Sequence, residues 1–476
     1  MGSRIMRNTV ALGGAQAVSV LTGLVTTLVL ARALGPESFG ILGFGIALMS
    51  YFGLAVNLGM DSHAVREIAK APAQARAVAG LVLSNRLVLA GLFVVLVFAL
   101  SPSMGWSAET EAVVRVQSLG LLGTALVLDF YFQARQRMEV LAVRQVAASV
   151  AGMLAVLILI RDAGDLLTAA AIPVVMLIAS GAMLFIYFRL IAKREAPAQG
   201  AVAIPRLAFI RRSVPVALVG VLVTVLINLD IVILGYLVDE AQLGLYVAAA
   251  RILTVAAMVP GILHGVFLPA LAEAMIDDTR RAKMAGNMVR VLAFLGAGVA
   301  GVGVILTPLV LQLLFGGAYD GAAGALRILL VHAAFLFLAA AYGTALLAWQ
   351  CDRPYSVLLA IGAVLNVALN FLLIPRFGIE GAAYATLASQ LVMWLGLMAL
   401  ARKAFDLRLA GVQVGALAAA AVSAVPAYLV LRNSPWDATE TMLTACVAFV
   451  VFYLAASQFA GVVDLRRLQA LLPARR

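Results

Sequence analysis

The sequence predicts an all-α polytopic membrane protein that crosses a cytoplasmic membrane about fourteen times, with both ends on the cytoplasmic side. Three observations lead there. Hydrophobic residues make up 64% of the 476 and charged residues only 12%, where a soluble domain carries about 25% charged. The mean hydropathy is +1.06, more apolar surface than a water-facing exterior can hide. The apolar residues also fall into runs of about 20, the length that spans a bilayer as helix.

In chain order the runs lie at about 10–30, 39–60, 78–100, 113–132, 140–160 and 166–188, then 213–237, 243–272, 288–315, 322–349, 355–374, 380–401, 409–431 and 441–461. The first follows a short basic lead, is too long for a removable signal peptide and shows no cleavage site. The runs at 243–272 and 288–315 exceed one membrane thickness and imply tilt or protrusion.

Placement of Lys and Arg sets the orientation. With the N-terminus inside, only Arg32, Arg161, Arg376 and Arg432 fall outside, and Arg86, Arg115, Arg251 and Arg327 fall within spans. The rest are counted as cytoplasmic, with Arg144 and Arg290 at the cytoplasmic ends of their spans. The net charge of +11 is thereby accounted for by topology and by attraction to anionic membrane lipids, and no nucleic-acid partner is expected. The pattern divides the chain into a six-helix bundle over 1–190, a basic cytoplasmic linker over 191–212, a second six-helix bundle over 213–405, and two further spans with a basic cytoplasmic tail over 406–476.

Other chemistries are absent or weak. Cys351 and Cys446 are far apart and form neither a disulfide framework nor a metal cluster. No metal or cofactor is expected. The longest external segment, Ser101 to Ala112, is read as a solvated loop in which Glu109 and Glu111 are not a catalytic pair. No G-x-x-x-x-G-K-[ST] phosphate loop is present. Gly296, Gly298 and Gly301 match G-x-G-x-x-G but lie inside a span with no strand before them, so close helix packing explains them.

A weak internal repeat links the two halves. Leu34-Gly35-Pro36-Glu37-Ser38-Phe39-Gly40 after the first span corresponds to Val238-Asp239-Glu240-Ala241-Gln242-Leu243-Gly244 after the seventh, and Ile160–Gly164 aligns with Ile374–Gly378. Secondary transporters build sites at the interface of such repeats.

Three patches carry a family resemblance. Ala31-Arg32-Ala33-Leu34-Gly35-Pro36-Glu37-Ser38-Phe39-Gly40 resembles the first external turn of the Wzx-type oligosaccharide flippases, in the polysaccharide-transporter family. Asp230, Leu234-Gly235-Tyr236 and Gly244 through Ala250 fit the same family, as does the stretch from Asn366 through Asn370 and Ile374-Pro375-Arg376-Phe377-Gly378 to Ala383. The resemblance implies the multidrug/oligosaccharidyl-lipid/polysaccharide fold, with two pseudo-symmetric six-helix bundles around a central cavity. It implies a non-enzymatic secondary carrier of the bacterial inner membrane. Such a carrier moves polyprenyl-diphosphate-linked oligosaccharide to the outer leaflet by alternating access, as in lipopolysaccharide assembly, using H⁺ or Na⁺ and in company with other polysaccharide assembly proteins. Lipid II flippases and drug/cation antiporters of the same superfamily are the nearest alternatives. A membrane-embedded polymerase or ligase is the alternative from another class.

Charges inside lipid are expensive and mark candidate sites. Asp230 and Arg251 flank the seventh turn at similar distances, and two readings are open: an ion pair that fixes packing, or a cavity in which Arg251 meets the diphosphate and Asp230 responds to H⁺ or Na⁺. Arg86 is a second cavity candidate, against snorkelling. Arg115, Arg327 and Asp129 are expected to anchor at interfaces. Asn366 and Asn370 share one helix face and suit either interhelical hydrogen bonds or sugar hydroxyls. Gln16, Ser19, Gly23 and Thr26 form a stripe that suits close packing or a cavity wall. His264 and His332 are expected to be structural. Pro260 and Gly261 are the hinge candidate, because an internal proline removes a helix hydrogen bond.

Overall fold

The computed structural model describes residues 2–194, 205–405, 409–434 and 437–462. The middle of the expected linker and the basic end of the tail, from residue 463, lie outside the described residues. Those described residues contain helices and no strand. They form two compact units, Met1–Gly235 with Asp239–Gly244, and Tyr236–Val238 with Leu245–Arg476.

In the first unit, α1 (Gly2–Asn57) runs through the first two expected spans, bent at Gly35, where φ is 74° and ψ is 173°. Only glycine adopts that backbone without strain, and Pro36 starts the second arm with its fixed φ. A break at Leu58 and Gly59, both with positive φ, leads into α2 (Met60–Lys70). Next come α3 (Ala75–Leu100), α4 (Ala108–Ser118), α5 (Gly120–Leu126), α6 (Asp129–Ala134), α7 (Met138–Leu159), α8 (Leu166–Arg194) and α9 (Arg206–Leu237).

The expected span over 113–132 is therefore built in three pieces, α4 to α6. Leu119 makes a mild joint, and Val127 and Leu128 leave helical geometry altogether, with ψ of 112° and 34°. No Pro or Gly marks that second break. Glu109 and Glu111 prove to be in the first turn of α4 rather than in a loop. Ser107 caps that turn by accepting from the Thr110 amide, so the acidic pair sits at the positive helix end.

Two large clusters stand out among the apolar clusters that hold this unit. One joins Met60, Ala64, Ile68, Val78, Val82, Phe130, Tyr131 and Phe132 with Leu184, Phe188 and Phe209. The other joins Leu34, Ile41, Leu42, Val113, Val156, Ile160 and Ala170. α9 makes close contacts here: a Cβ on Gly59 would lie 2.5 Å from the Ser213 carbonyl oxygen, and the phenol of Tyr51 donates to the Thr224 carbonyl at 3.2 Å.

The second unit comprises α10 (Glu240–Glu273) beyond its first turn, α11 (Asp278–Leu314), α12 (Ala323–Ala348), α13 (Asp352–Phe405), α14 (Ala410–Asn433) and α15 (Ala438–Phe459). α13 is again two spans joined by a bend, at Gly378 with φ of 56° and ψ of −133°. The G-x-G-x-x-G glycines permit the expected close packing. A Cβ on Gly296 would lie 2.6 Å from that of Phe337, and one on Gly298 would lie 3.1 Å from the Tyr453 ring.

Among the described residues twelve helical stretches are long and apolar enough to cross a membrane. Two of them, bent at Gly35 and Gly378, contain two arms each, and each arm reaches the ~20 residues that a crossing requires. The multi-pass membrane fold with about fourteen crossings thus matches the sequence expectation.

Candidate functional site

Arg251 lies eleven residues into α10, roughly 16 Å along it at about 1.5 Å per residue. It is half-buried. Val255, Val259, Ile262 and Val266 on the same helix are exposed from the unit. No carboxylate pairs with the guanidinium among the described residues. Such a cation inside an apolar span is costly.

Asp230 belongs to the first unit and is 7% exposed. Its carboxylate accepts from the Ile231 amide at 2.9 Å and interacts electrostatically with the Tyr51 phenol. The amide of Asn228, two residues earlier, donates to the Ser50 hydroxyl at 3.3 Å. The second arm of α1 and the middle of α9 thus share a polar seam.

Arg86 is 2% exposed, and both terminal nitrogens of its guanidinium are engaged around two breaks in the backbone. It donates to the Val127 carbonyl at 3.0 Å and to the Asn57 side-chain oxygen at 2.8 Å, and forms an ion pair with Asp61. It also lies 5.5 Å from the centre of the Phe130 ring. Irregular backbone at membrane depth is tolerated where protein satisfies it, and Arg86 satisfies it here. Next to it, Arg144 donates to Asp129 at 2.6 Å. Asp129 is thus half of an ion pair at the α6–α7 end, where sequence reasoning expected a snorkelling anchor. Arg115 pairs with Glu111 and donates to Ser101 at 2.9 Å.

Asn366 and Asn370 are 1% and 0% exposed. Asn370 donates to the Asn366 side-chain and backbone oxygens at 3.0 and 2.9 Å, and Asn366 donates to Ser389 at 3.2 Å. Their amides join the two arms of α13 across the bend at Gly378. At Pro260 and Gly261, α10 continues as helix, and a Cβ on Gly261 would meet nothing within 4 Å. His264 shares a 2.8 Å hydrogen bond with Thr344, and His332 is buried.

In the α1 stripe, a Cβ on Gly23 would likewise meet nothing within 4 Å. That glycine does not serve close packing. Gln16 accepts from Gln145 at 2.7 Å and Ser19 donates to Ser149 at 3.3 Å, so the stripe forms a polar ladder along α7.

Sequence reasoning missed two constellations. Asp61 and Arg144 are not singled out by the sequence, because their partners lie 25 and 15 residues away. Glu240 was read only as a turn residue. Its carboxylate accepts from Ser107 at 2.6 Å and Thr110 at 2.7 Å, which fixes the start of α10 to the start of α4. The only advance signal was the N-capping pattern Ser107-Ala-Glu-Thr110.

Comparison with known proteins gives the geometry a context. The chain is 24% identical over 402 residues to a protein of Escherichia coli (strain K12) provisionally named an O-antigen transporter, covering 81% of this chain and 94% of that one. Among solved structures it resembles the inward-facing conformation of a multidrug resistance MATE family transporter of the MOP superfamily, with a TM-score of 0.66, 16% identity, and coverage of 84% of this chain and 98% of that one. An outward-facing conformation of such a transporter matches with a TM-score of 0.55, 16% identity and coverage of 85% and 95%. These structures establish the fold, that of the superfamily the sequence resembles, whose members carry two pseudo-symmetric six-helix halves. Residues 5–275, more than half of the chain, match the family described as polysaccharide biosynthesis protein, and the chain belongs to that family.

Proposed function

We propose that this protein is a secondary carrier that flips polyprenyl-diphosphate-linked oligosaccharide across the bacterial cytoplasmic membrane for surface polysaccharide assembly. The observation that carries the reading is the unpaired guanidinium of Arg251 inside an apolar span. A diphosphate brings fixed negative charge, and a guanidinium at that depth lowers the cost of its passage. A carrier for cationic drugs gains nothing from a free cation at that depth. Family membership and the similarity to a provisionally named O-antigen transporter support the same substrate class. Asp230, buried in the neighbouring span, is the carboxylate proposed to respond to H⁺ or Na⁺ as the carrier changes sides.

The test is Arg251→Ala. The variant is expected to insert and accumulate normally, to lose most surface glycan and to build up lipid-linked precursor inside. Arg251→Lys is expected to recover part of the export, since charge stays and the bidentate fork goes. Normal glycan export by the alanine variant removes Arg251 from the mechanism.

A further inference from the structure

We infer that Asp61, Arg86, Asp129 and Arg144 form a proton-binding site that controls anion binding at the α6–α7 end of the first unit. In it a proton on the Asp129 carboxylate releases the Arg144 guanidinium to an incoming diphosphate. The inference rests on the flippase reading for the nature of the anion and on geometry for everything else.

The four side chains come from α2, α3, α6 and α7, and they meet where the chain breaks at Leu58–Gly59 and at Val127–Leu128. The two ion pairs are not equivalent. Arg86 is buried and bound at three points, to Asp61, Asn57 and Val127, so it is a fixed part of the fold. Arg144 makes one contact, at 2.6 Å to one oxygen of Asp129, and the side chains are 17% and 32% exposed. The other Asp129 oxygen and the Arg144 Nε are buried without a hydrogen-bond partner. A bidentate fork would have satisfied both atoms. The Arg86 Nε is orphaned too, so the single contact and the greater exposure of Arg144 are what set its pair apart. An ion pair left half-satisfied in a low-dielectric setting gives up much of its Coulombic gain, and its orphaned acceptor is where a proton can bond.

The balance of the step is simple. A hydronium ion from the water gives its proton to the Asp129 carboxylate: one hydronium O–H bond breaks, one O–H bond forms on Asp129, and a water molecule is left. Asp129 becomes neutral and Arg144 keeps its charge. The quartet passes from net zero to one positive charge, because Asp61 and Arg86 still cancel. That charge is carried by the more exposed arginine.

The remaining charged groups nearby favour an anion. Arg135, at the end of α6, lies 4.9 Å from the centre of the Tyr131 ring, and Arg137 precedes α7. Glu139 opens α7, while His63, Arg66, Glu67 and Lys70 lie further along α2. By linkage, a proton that raises anion affinity requires that the anion raise proton affinity by the same factor.

The experiment uses the purified full chain and geranyl diphosphate as the soluble probe, by calorimetry in buffers of different ionisation enthalpy. The wild type is expected to bind about tenfold more tightly at about pH 5.5 than at about pH 8 and to take up close to one proton per probe. Asp129→Asn is expected to lose both the uptake and its share of the pH dependence, while Asp129→Glu keeps them. Uptake by Asp129→Asn equal to that of the wild type overturns the proposal.

If no variant binds the probe, the flippase reading is in difficulty but the site is still decided by ligand-free acid–base titration. The wild type should then bind about one more proton than Asp129→Asn between about pH 8 and about pH 4. Identical titration curves overturn the site by themselves.

Discussion

Gly40 and Gly244 meet backbone to backbone, and each rests on the carbonyl of the residue four before the other. A Cβ on Gly40 would overlap the Glu240 carbonyl oxygen and lie 2.7 Å from the Gly244 amide nitrogen. A Cβ on Gly244 would overlap the Pro36 carbonyl oxygen, 2.6 Å from its carbon. This exchange of the same contact in both directions is what a two-fold relationship produces. The two glycines are the pair that the internal repeat brings into register. The contact lies within the first compact unit, which holds the first turn of α10.

That contact predicts a sharp contrast between glycines. Gly244→Ala must push two backbones apart and is expected to cost about 1–3 kcal/mol, the usual range for overpacking. Gly23→Ala, where the new methyl meets nothing within 4 Å, is expected to be neutral or to stabilise by up to about 1 kcal/mol through helix propensity. Thermal unfolding in one detergent compares them. Equal midpoints for the two variants would contradict the packing described.

A carboxylate that takes part in coupling behaves differently from one that only packs. Asp230→Asn is expected to accumulate in the membrane, to bind lipid-linked precursor and to show no acceleration when a pH or Na⁺ gradient is imposed on proteoliposomes. Loss of folded protein would instead mark a packing role, in which the Ile231 amide and the Tyr51 phenol need the carboxylate beside them. A well-folded asparagine variant that still responds to the gradient would rule out coupling through Asp230.

Orientation follows from the basic residues and is testable without substrate. Alkaline phosphatase fused after Asp320 or Ser434 is expected to be active, and fused after Phe405 or Arg476 inactive. Activity after Phe405 would break the fourteen-crossing topology.

His63, on α2 just beyond the second arm of α1, packs against Phe209 at 4.6 Å between ring centres. Partial burial holds its pKa below the ordinary histidine value, outweighing the attraction of Glu67. The folded state therefore binds this proton less readily than the unfolded chain. Its contribution to stability is full above about pH 6.5 and is lost as pH falls through the lowered folded value. His63→Gln is expected to flatten the dependence of unfolding temperature on pH in that window. An unchanged slope would remove His63 as the cause.

The sequence by itself determined the solvent, the class and most of the crossings. A chain with 64% hydrophobic residues in runs of bilayer length has no other stable arrangement, because lipid forces backbone groups to pair within each helix. Turns that depend on one residue were also legible. The bends at Gly35 and Gly378 need glycine for their backbone angles, and Gly35-Pro36 announces its own. Long-range partnership was not. The break at Val127 carries no Pro or Gly, and it exists because Arg86, 41 residues earlier, supplies a donor to its carbonyl. Asn366 and Asn370, equally plausible on a cavity wall, proved to be engaged across α13 because the bend folds Ser389 back against them. Nothing local marks Arg144 or Asp61, and only tertiary contact places carboxylate and guanidinium together. Hydrophobic periodicity records which environment a residue enters, whereas the energy of a buried charge depends on a partner that only the folded chain supplies.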